Sequence, residues 1–135
     1  MAASTAHTID EEGRRLLEKI QKAFSDGKVA AKPTEEDSGN VKYTNASLDA
    51  YVLPLLQYLD LNDLGYTAWK ISNRITIKNA TGPEYIIPIT DISNTARLFP
   101  GHKLQSGLYV YHTETVDLLP SLVCLFVTKP GRVSQ

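Results

Sequence analysis

The sequence has a single cysteine, Cys124, among 135 residues. No intramolecular disulfide can form, and a zinc site built from several thiolates is excluded. The chain also lacks any run of about 18 apolar residues of the kind that spans a bilayer. Its first residues, MAASTAHTIDEEGRR, contain no apolar core typical of a secretory signal. We therefore expect a soluble, cytoplasmic protein that is not bound to a membrane.

An excess of charge of either sign is also missing. The 14 basic and 15 acidic residues give a net charge of −1, and the pI is about 6.3. Such a balance produces no long-range field that attracts a phosphate backbone, so nucleic acid is a disfavoured partner. The hydrophobic fraction of 42% and the charged fraction of 21% are ordinary for a globular protein. At this length we expect one domain over residues 1–135.

Recognisable catalytic and cofactor motifs are absent from the sequence. It has no Gly-x-Ser-x-Gly elbow and no glycine-rich lysine loop for phosphate. Residues 60–65 resemble the start of a calcium-binding loop. However, Leu64 and Ile71 stand where the loop requires oxygen ligands. The sequence therefore predicts neither a metal nor a cofactor.

Two segments have the apolar spacing of helices. In residues 9–25, one stripe recurs at intervals of three and four, and Thr8 with Glu11 matches a capping box. A second stripe covers residues 47–61. Pro54 interrupts the second stripe, so this helix either kinks there or begins there. The polar residues 1–7, 26–44 and 129–135 predict a flexible N-terminus, an exposed loop and a C-terminal tail.

The rest of the chain has the patterns of β-strands. Apolar residues alternate with polar ones in 69–78, and further strands are predicted at 84–89, 108–115 and 122–128. Pro88 cannot donate to a ladder, which predicts that its strand lies at an edge or ends there. Residues 122–127 are apolar at every position, which predicts a central strand covered on both faces. The sequence thus predicts an α+β domain, with two N-terminal helices packed on a four-stranded, mainly antiparallel sheet.

Three residues are candidates for catalysis. His112 and Glu114 lie two apart on a predicted strand and share one face, and Tyr111 lies beside them. A carboxylate can orient a histidine that acts as a general base. No third partner is identifiable, so we expect His112 and Glu114 to be a polar pair on the solvent face. Cys124 stands in the most apolar run of the chain, and we expect it to be buried and inert.

The preferred hypothesis is a non-catalytic protein-interaction or self-assembly module whose partner is a second copy or another protein. Two short helices cover one sheet face, so a partner would supply the other. The predicted contact residues are Leu122, Leu125, Val127 and Tyr109. The first alternative is a small enzyme with a pocket between the helices and the sheet, using His112 and Glu114. The second is single-stranded nucleic-acid binding through an aromatic sheet face, since Trp69 and several tyrosines lie on predicted strands, and cations such as Lys70 and Arg74 share one strand face.

Overall fold

The chain forms three layers: a pair of helices, a large sheet and a small sheet. A computed structural model describes residues 4–25, 33–37, 40–43, 48–61, 63–77, 84–91, 96–99, 103–112, 116–119 and 121–128. The helices are α1 (Glu11–Ser25) and α2 (Asp49–Tyr58). The strands are β1 (Ser4–Thr8), β2 (Pro33–Asp37), β3 (Asn40–Tyr43), β4 (Gly65–Ile71), β5 (Ile75–Ile77), β6 (Glu84–Asp91), β7 (Arg97–Phe99), β8 (Leu108–His112), β9 (Val116–Leu119) and β10 (Leu122–Thr128).

Every strand pairing in the described residues is antiparallel. The large sheet has the order β1-β8-β6-β10-β4-β3-β2, and the small sheet has the order β5-β9-β7. From β4 onward, successive strands alternate between the two sheets, which is the arrangement of a jelly roll. The predicted α+β class is confirmed. The predicted number of four strands is too small, because the small sheet and the outer strands of the large sheet add to it.

Strand β10 lies at the centre of the large sheet, between β6 and β4. Its even-numbered residues Leu122, Cys124 and Phe126 face the small sheet and pack in the core between the two sheets. Its odd-numbered residues pack with the helices on the other face: Val123, Leu125 and Val127. The predicted central strand with two covered faces is therefore confirmed. The helices cover one of its faces, and the small sheet covers the other.

The predicted strand 69–78 is two strands in different sheets. It breaks between β4 and β5, around Asn73, which is the polar residue in the otherwise apolar odd-numbered series. The interruption lets the chain leave the large sheet after Ile71 and enter the small one at Ile75. Both residues still pack in the core between the sheets. The break therefore changes the partner strand and leaves the buried face unchanged.

Pro88 lies in an interior strand, so its prediction as an edge residue is wrong. Strand β6 has β8 on one side and β10 on the other. Its pairing with β8 covers only Glu84 to Ile86, so no β8 partner is aligned with Pro88. Its register with β10 shifts between Val123 and Cys124. A bulge of this kind accommodates a residue that cannot donate a hydrogen bond.

Two segments that were predicted as flexible or exposed contribute strands. Ser4–Thr8 forms β1 at one edge of the large sheet, paired with β8. Pro33–Asp37 and Asn40–Tyr43 form a hairpin-like pair at the opposite edge. Their sequences are polar, which is common in edge strands because polar and charged residues discourage pairing with other chains. The predicted tail 129–135 lies outside the described residues.

Asp10, and not Thr8, caps the first helix. The Gly13 amide donates to Asp10 Oδ1 at 3.1 Å, while Thr8 belongs to β1. The Tyr58 hydroxyl, at the end of α2, donates to both Asp10 oxygens at 2.8 Å. These bonds lower the pKa of the Asp10 carboxyl and link the two helices. Gly13 lets α1 pack closely on Ile9, since a Cβ at position 13 would lie 2.5 Å from the Ile9 side chain.

Helix α2 contains Pro54 in its interior, so Pro54 does not begin the helix. Val52, Leu55 and Leu56 are fully buried against the large sheet and α1, whereas Pro54 is exposed. Burial of this apolar face stabilises the helix enough to offset the hydrogen bond that proline lacks. Neither α1 nor α2, the helices of the described segments, has the length and apolar character needed to cross a bilayer.

Candidate functional site

The predicted contact residues fall into two groups. Leu122, Leu125 and Val127 are 0% exposed and belong to the two cores. Their prediction as contacts assumed that a partner must cover one face of β10, and the small sheet covers it within the same chain. Tyr109 is half-buried at the rim of the helix-side core. Of the four residues, Tyr109 is the one placed to touch a partner.

Tyr109 belongs to a group of tyrosines on the helix-side face of the large sheet, termed the tyrosine patch: Tyr66, Tyr85, Tyr109 and Tyr111. All four are half-buried. Tyr85 and Tyr111 are directly opposite each other on β6 and β8, with ring centroids 5.0 Å apart. Tyr85 and Tyr109 are 6.0 Å apart, and His7 of β1 stacks on Tyr109 at 5.1 Å. Four elements thus hold one aromatic surface beside the helices.

Carboxylates adjoin the tyrosine patch. The Tyr66 hydroxyl donates to Asp49 at the start of α2. Burial, with help from this bond and the Asp49 charge, raises the pKa of Tyr66. Burial also raises the pKa of Tyr85, and the neighbouring Tyr111, Tyr109 and Asp63 add to the effect. At neutral pH the patch is therefore an array of neutral hydroxyls next to negative charge.

These raised pKa values predict alkaline instability. An unfolded tyrosine loses its proton near pH 10, while folded Tyr66, Tyr85 and Tyr109 keep theirs to higher pH. Above pH 10 the unfolded state therefore binds fewer protons, and the free energy of unfolding falls as pH rises. We expect these tyrosines to leave the melting temperature unchanged between neutral pH and pH 10, and we expect a steep drop above pH 10. Tyr66→Phe, which removes the most strongly shifted group, should make that drop shallower.

A second cluster lies between the sheets. His112 is the buried polar residue of the described chain, at 0% exposure. Its Nε2 lies 2.7 Å from Glu84 Oε1, and the two residues are directly opposite on β8 and β6. The prediction that His112 lies on the solvent face is wrong. Alternation along β8 places His112 on the same side as Val110, which packs between the sheets.

Of the predicted catalytic residues, the structure describes Tyr111 and His112, and it does not bring these two side chains together. Tyr111 contacts Tyr85 in the patch, on the face opposite to His112. Glu114 lies outside the described residues. Glu84 is the carboxylate that contacts His112 within the described residues, and sequence reasoning missed it because 28 residues separate the two. Among the described residues, no three His, Cys, Asp or Glu side chains are grouped as a metal site.

Cys124 is fully buried, as predicted. Burial raises the pKa of its thiol, and the charge of Glu84 adds to the effect. A thiol in this state is a poor nucleophile, because the thiolate is the reactive form. Cys124 therefore belongs to the apolar core between the sheets, next to the His112–Glu84 pair.

The aromatic and cationic residues considered for nucleic acid do not form one surface. Trp69 packs against the core between the sheets, and the neighbouring Lys70 is exposed on the opposite face of β4. Arg74 is paired with Asp117 at 2.5 Å. The half-buried rings of the tyrosine patch instead adjoin Asp49 and Asp63, whose charges repel a phosphate backbone.

Comparison with known proteins gives a likeness of fold. No family model and no curated protein sequence matches the chain. The crystal structure of a Pseudomonas putida prolyl-4-hydroxylase superimposes with a TM-score of 0.52 and 11% sequence identity. The match covers 96% of this chain and 94% of that one. At this identity the likeness extends to the arrangement of helices and strands, so the chain shares its overall fold with that hydroxylase.

Proposed function

We propose that this domain is a non-catalytic protein-binding module that binds through the tyrosine patch, with a second copy of the chain as its first partner to test. The observation that carries the proposal is the set of four half-buried tyrosines on one sheet face. Three of them, Tyr85, Tyr109 and Tyr111, are linked by ring contacts and flanked by His7. Tyrosine is enriched at protein interfaces because it contributes large contact area and a polar hydroxyl with few rotatable bonds.

The rigidity of the patch also favours binding. The backbones of β4, β6 and β8 hold its rings, and all three strands belong to the large sheet. Tyr66, Tyr85 and Tyr109 are further fixed by packing against the helix-side core. Because little side-chain freedom is left to lose, ordering these rings on binding costs less than ordering flexible side chains. The same feature supports a protein partner and opposes a nucleic acid, given the acidic residues alongside.

Sedimentation velocity across a range of concentrations tests the proposal. We expect wild-type protein to form dimers at micromolar concentrations, and Tyr111→Arg to weaken the dimer by about tenfold or more, the effect of losing a central interface tyrosine. Phe99→Arg is the matched control. Phe99 is 58% exposed, but it lies on the outer face of the small sheet, away from the patch. Its substitution should leave the dimer unchanged.

A wild-type protein that stays monomeric at high micromolar concentration would show that self-assembly is wrong. Equal weakening by Tyr111→Arg and Phe99→Arg would show that the tyrosine patch is not the interface. Both variants replace a ring by a guanidinium on a strand at the surface, so their general effects on solubility and charge are the same. The difference between them therefore reports on the location of the contact.

A small enzyme is the second candidate function, and one observation favours it. The His112–Glu84 pair resembles a histidine oriented by a carboxylate, and it lies between the sheets of a fold shared with a prolyl-4-hydroxylase. The burial of His112 opposes this candidate, since a general base must reach a substrate. Neither of the two grooves built from described residues includes His112 in its lining.

A further inference from the structure

A groove lies where the C-terminal end of α1 passes over the large sheet. Its volume is about 560 Å³, within the range of about 300–1,000 Å³ usual for small-molecule sites. The helix contributes Gln21, Phe24 and Ser25, and Tyr43 of β3 forms the far wall. The groove lies on the helix-covered face of the sheet but shares no lining residue with the tyrosine patch. A ligand bound in the groove would therefore be independent of the function proposed for the patch.

The floor of the groove is one row of residues across three strands. Lys70 of β4 is opposite Val123 of β10, and Val123 is opposite Thr90 of β6. The shift in register between Val123 and Cys124 makes Ile89 the extra residue of β6. Ile89 packs in the helix-side core, while Thr90 borders the groove. The bulge that accommodates Pro88 thus also sets the shape of this floor.

The groove is apolar in its body and polar at its rim. Phe24 and Tyr43 meet edge to face, with ring centroids 5.6 Å apart, and Val123 is 8% exposed beneath them. Gln21 is fixed in place because its side-chain amide donates to the Ile89 carbonyl at 2.7 Å. Ser25 and Thr90 supply hydroxyls. An apolar body with a few polar groups at one side is the usual composition of a ligand site.

Lys70 is the cation of this groove. Within the described part of the chain it makes no ion pair or hydrogen bond, and it is exposed. Its side chain lines the groove together with Val123, Phe24 and Tyr43. A bound carboxylate would pair with the Lys70 charge, while an alkyl chain would cover the apolar floor.

We propose that this groove binds a small amphipathic anion, with its apolar chain on Phe24, Tyr43 and Val123 and its carboxylate at Lys70. Charge selects the ligand class. A neutral molecule of the same shape loses the interaction with Lys70, and a multiply charged one finds no second cation among the described lining residues. Ser25 and Thr90 lie within the same lining and offer hydroxyl donors to the head group.

Octanoate is a suitable probe, and octanamide is its uncharged counterpart. Titration of isotope-labelled protein, followed by amide chemical shifts, should show octanoate saturating at millimolar concentrations. The shifts should be confined to Ser25, Tyr43, Lys70, Thr90, Val123 and their neighbours. Octanamide should bind more weakly. Lys70→Gln should weaken octanoate about three- to fivefold, as expected for an exposed charge pair, and should leave octanamide unchanged.

Two further variants keep the test decisive. Lys19→Gln removes the same charge from the exposed side of α1, outside the groove, and should leave octanoate binding as in wild type. Ser25→Trp fills the groove from an exposed position and should abolish binding of both ligands without touching the core. Absence of saturable shifts, shifts centred elsewhere, or equal effects of Lys70→Gln and Lys19→Gln would each overturn the proposal.

Discussion

Leu125→Ala and Leu122→Ala should each lower the free energy of unfolding by about 3 kcal/mol, the usual cost of a Leu→Ala cavity in a well-packed core. Both side chains are 0% exposed. Leu125 packs with the helices and Leu122 with the small sheet, so the two variants probe the two cores separately. Urea denaturation measures the change. The loss is large for a domain whose total stability is typically about 5–15 kcal/mol.

Leu53→Ala is the matched control, because Leu53 on α2 is 46% exposed. Its effect should stay within about 0.5 kcal/mol, as for most surface substitutions. The same three variants separate the scaffold from the proposed interface. Under conditions where all three variants are folded, Leu122→Ala and Leu125→Ala should self-associate as strongly as wild-type protein. A change in association without a change in stability would show that β10 is itself exposed to a partner.

The sequence predicted β10 best, because its pattern can be interpreted without knowing which strands pair with it. Residues 122–127 are apolar at every position, and only a strand covered on both faces tolerates that composition. The two apolar stripes likewise predict α1 and α2 to within a few residues. In each case the local pattern reports burial directly. The α+β class follows from those elements and their order.

The second sheet was not predictable in the same way. Its three strands are short, and β5 continues the alternation of β4 after a break of three residues. The alternation does not show which sheet each strand joins, because the apolar residues of β4 and β5 are buried in the same core between the two sheets. The edge strands β1 and β2 are polar, so they lack the apolar signal altogether. Their pairing is specified by backbone hydrogen bonds to other strands, for β1 a strand distant in sequence.

The candidate sites depend on contacts across strands, and this is why the sequence identified only part of them. Tyr109 was predicted as a contact residue. Tyr85 lies near it because of the β6–β8 register, and Tyr66 lies on the same face of the sheet, across β10. Glu84 reaches His112 across the ladder from a position 28 residues earlier in the chain, and spacing along one strand gives no sign of such a contact. A histidine on a strand gives no local sign of which face it occupies when its neighbours on both sides are apolar or aromatic.

The His112–Glu84 pair has a structural role that can be measured. His112 is fully buried, while the Glu84 side chain is 14% exposed, so the carboxylate closes the end of the core over the ring. Removing the imidazole leaves a cavity and takes away a hydrogen-bond partner of a largely buried carboxylate. Both effects disfavour the folded state, and the loss of a partner for a buried charge is the larger one.

His112→Ala should therefore lower the free energy of unfolding by about 3 kcal/mol in urea denaturation at neutral pH. His7→Ala is the matched control: His7 is exposed and stacks on Tyr109, so its loss should stay below about 1 kcal/mol. Glu84→Gln keeps a hydrogen-bonding side chain of the same shape but removes the charge, and should cost about 1 kcal/mol. If His112→Ala were no more destabilising than His7→Ala, the buried ring would not stabilise the core between the sheets.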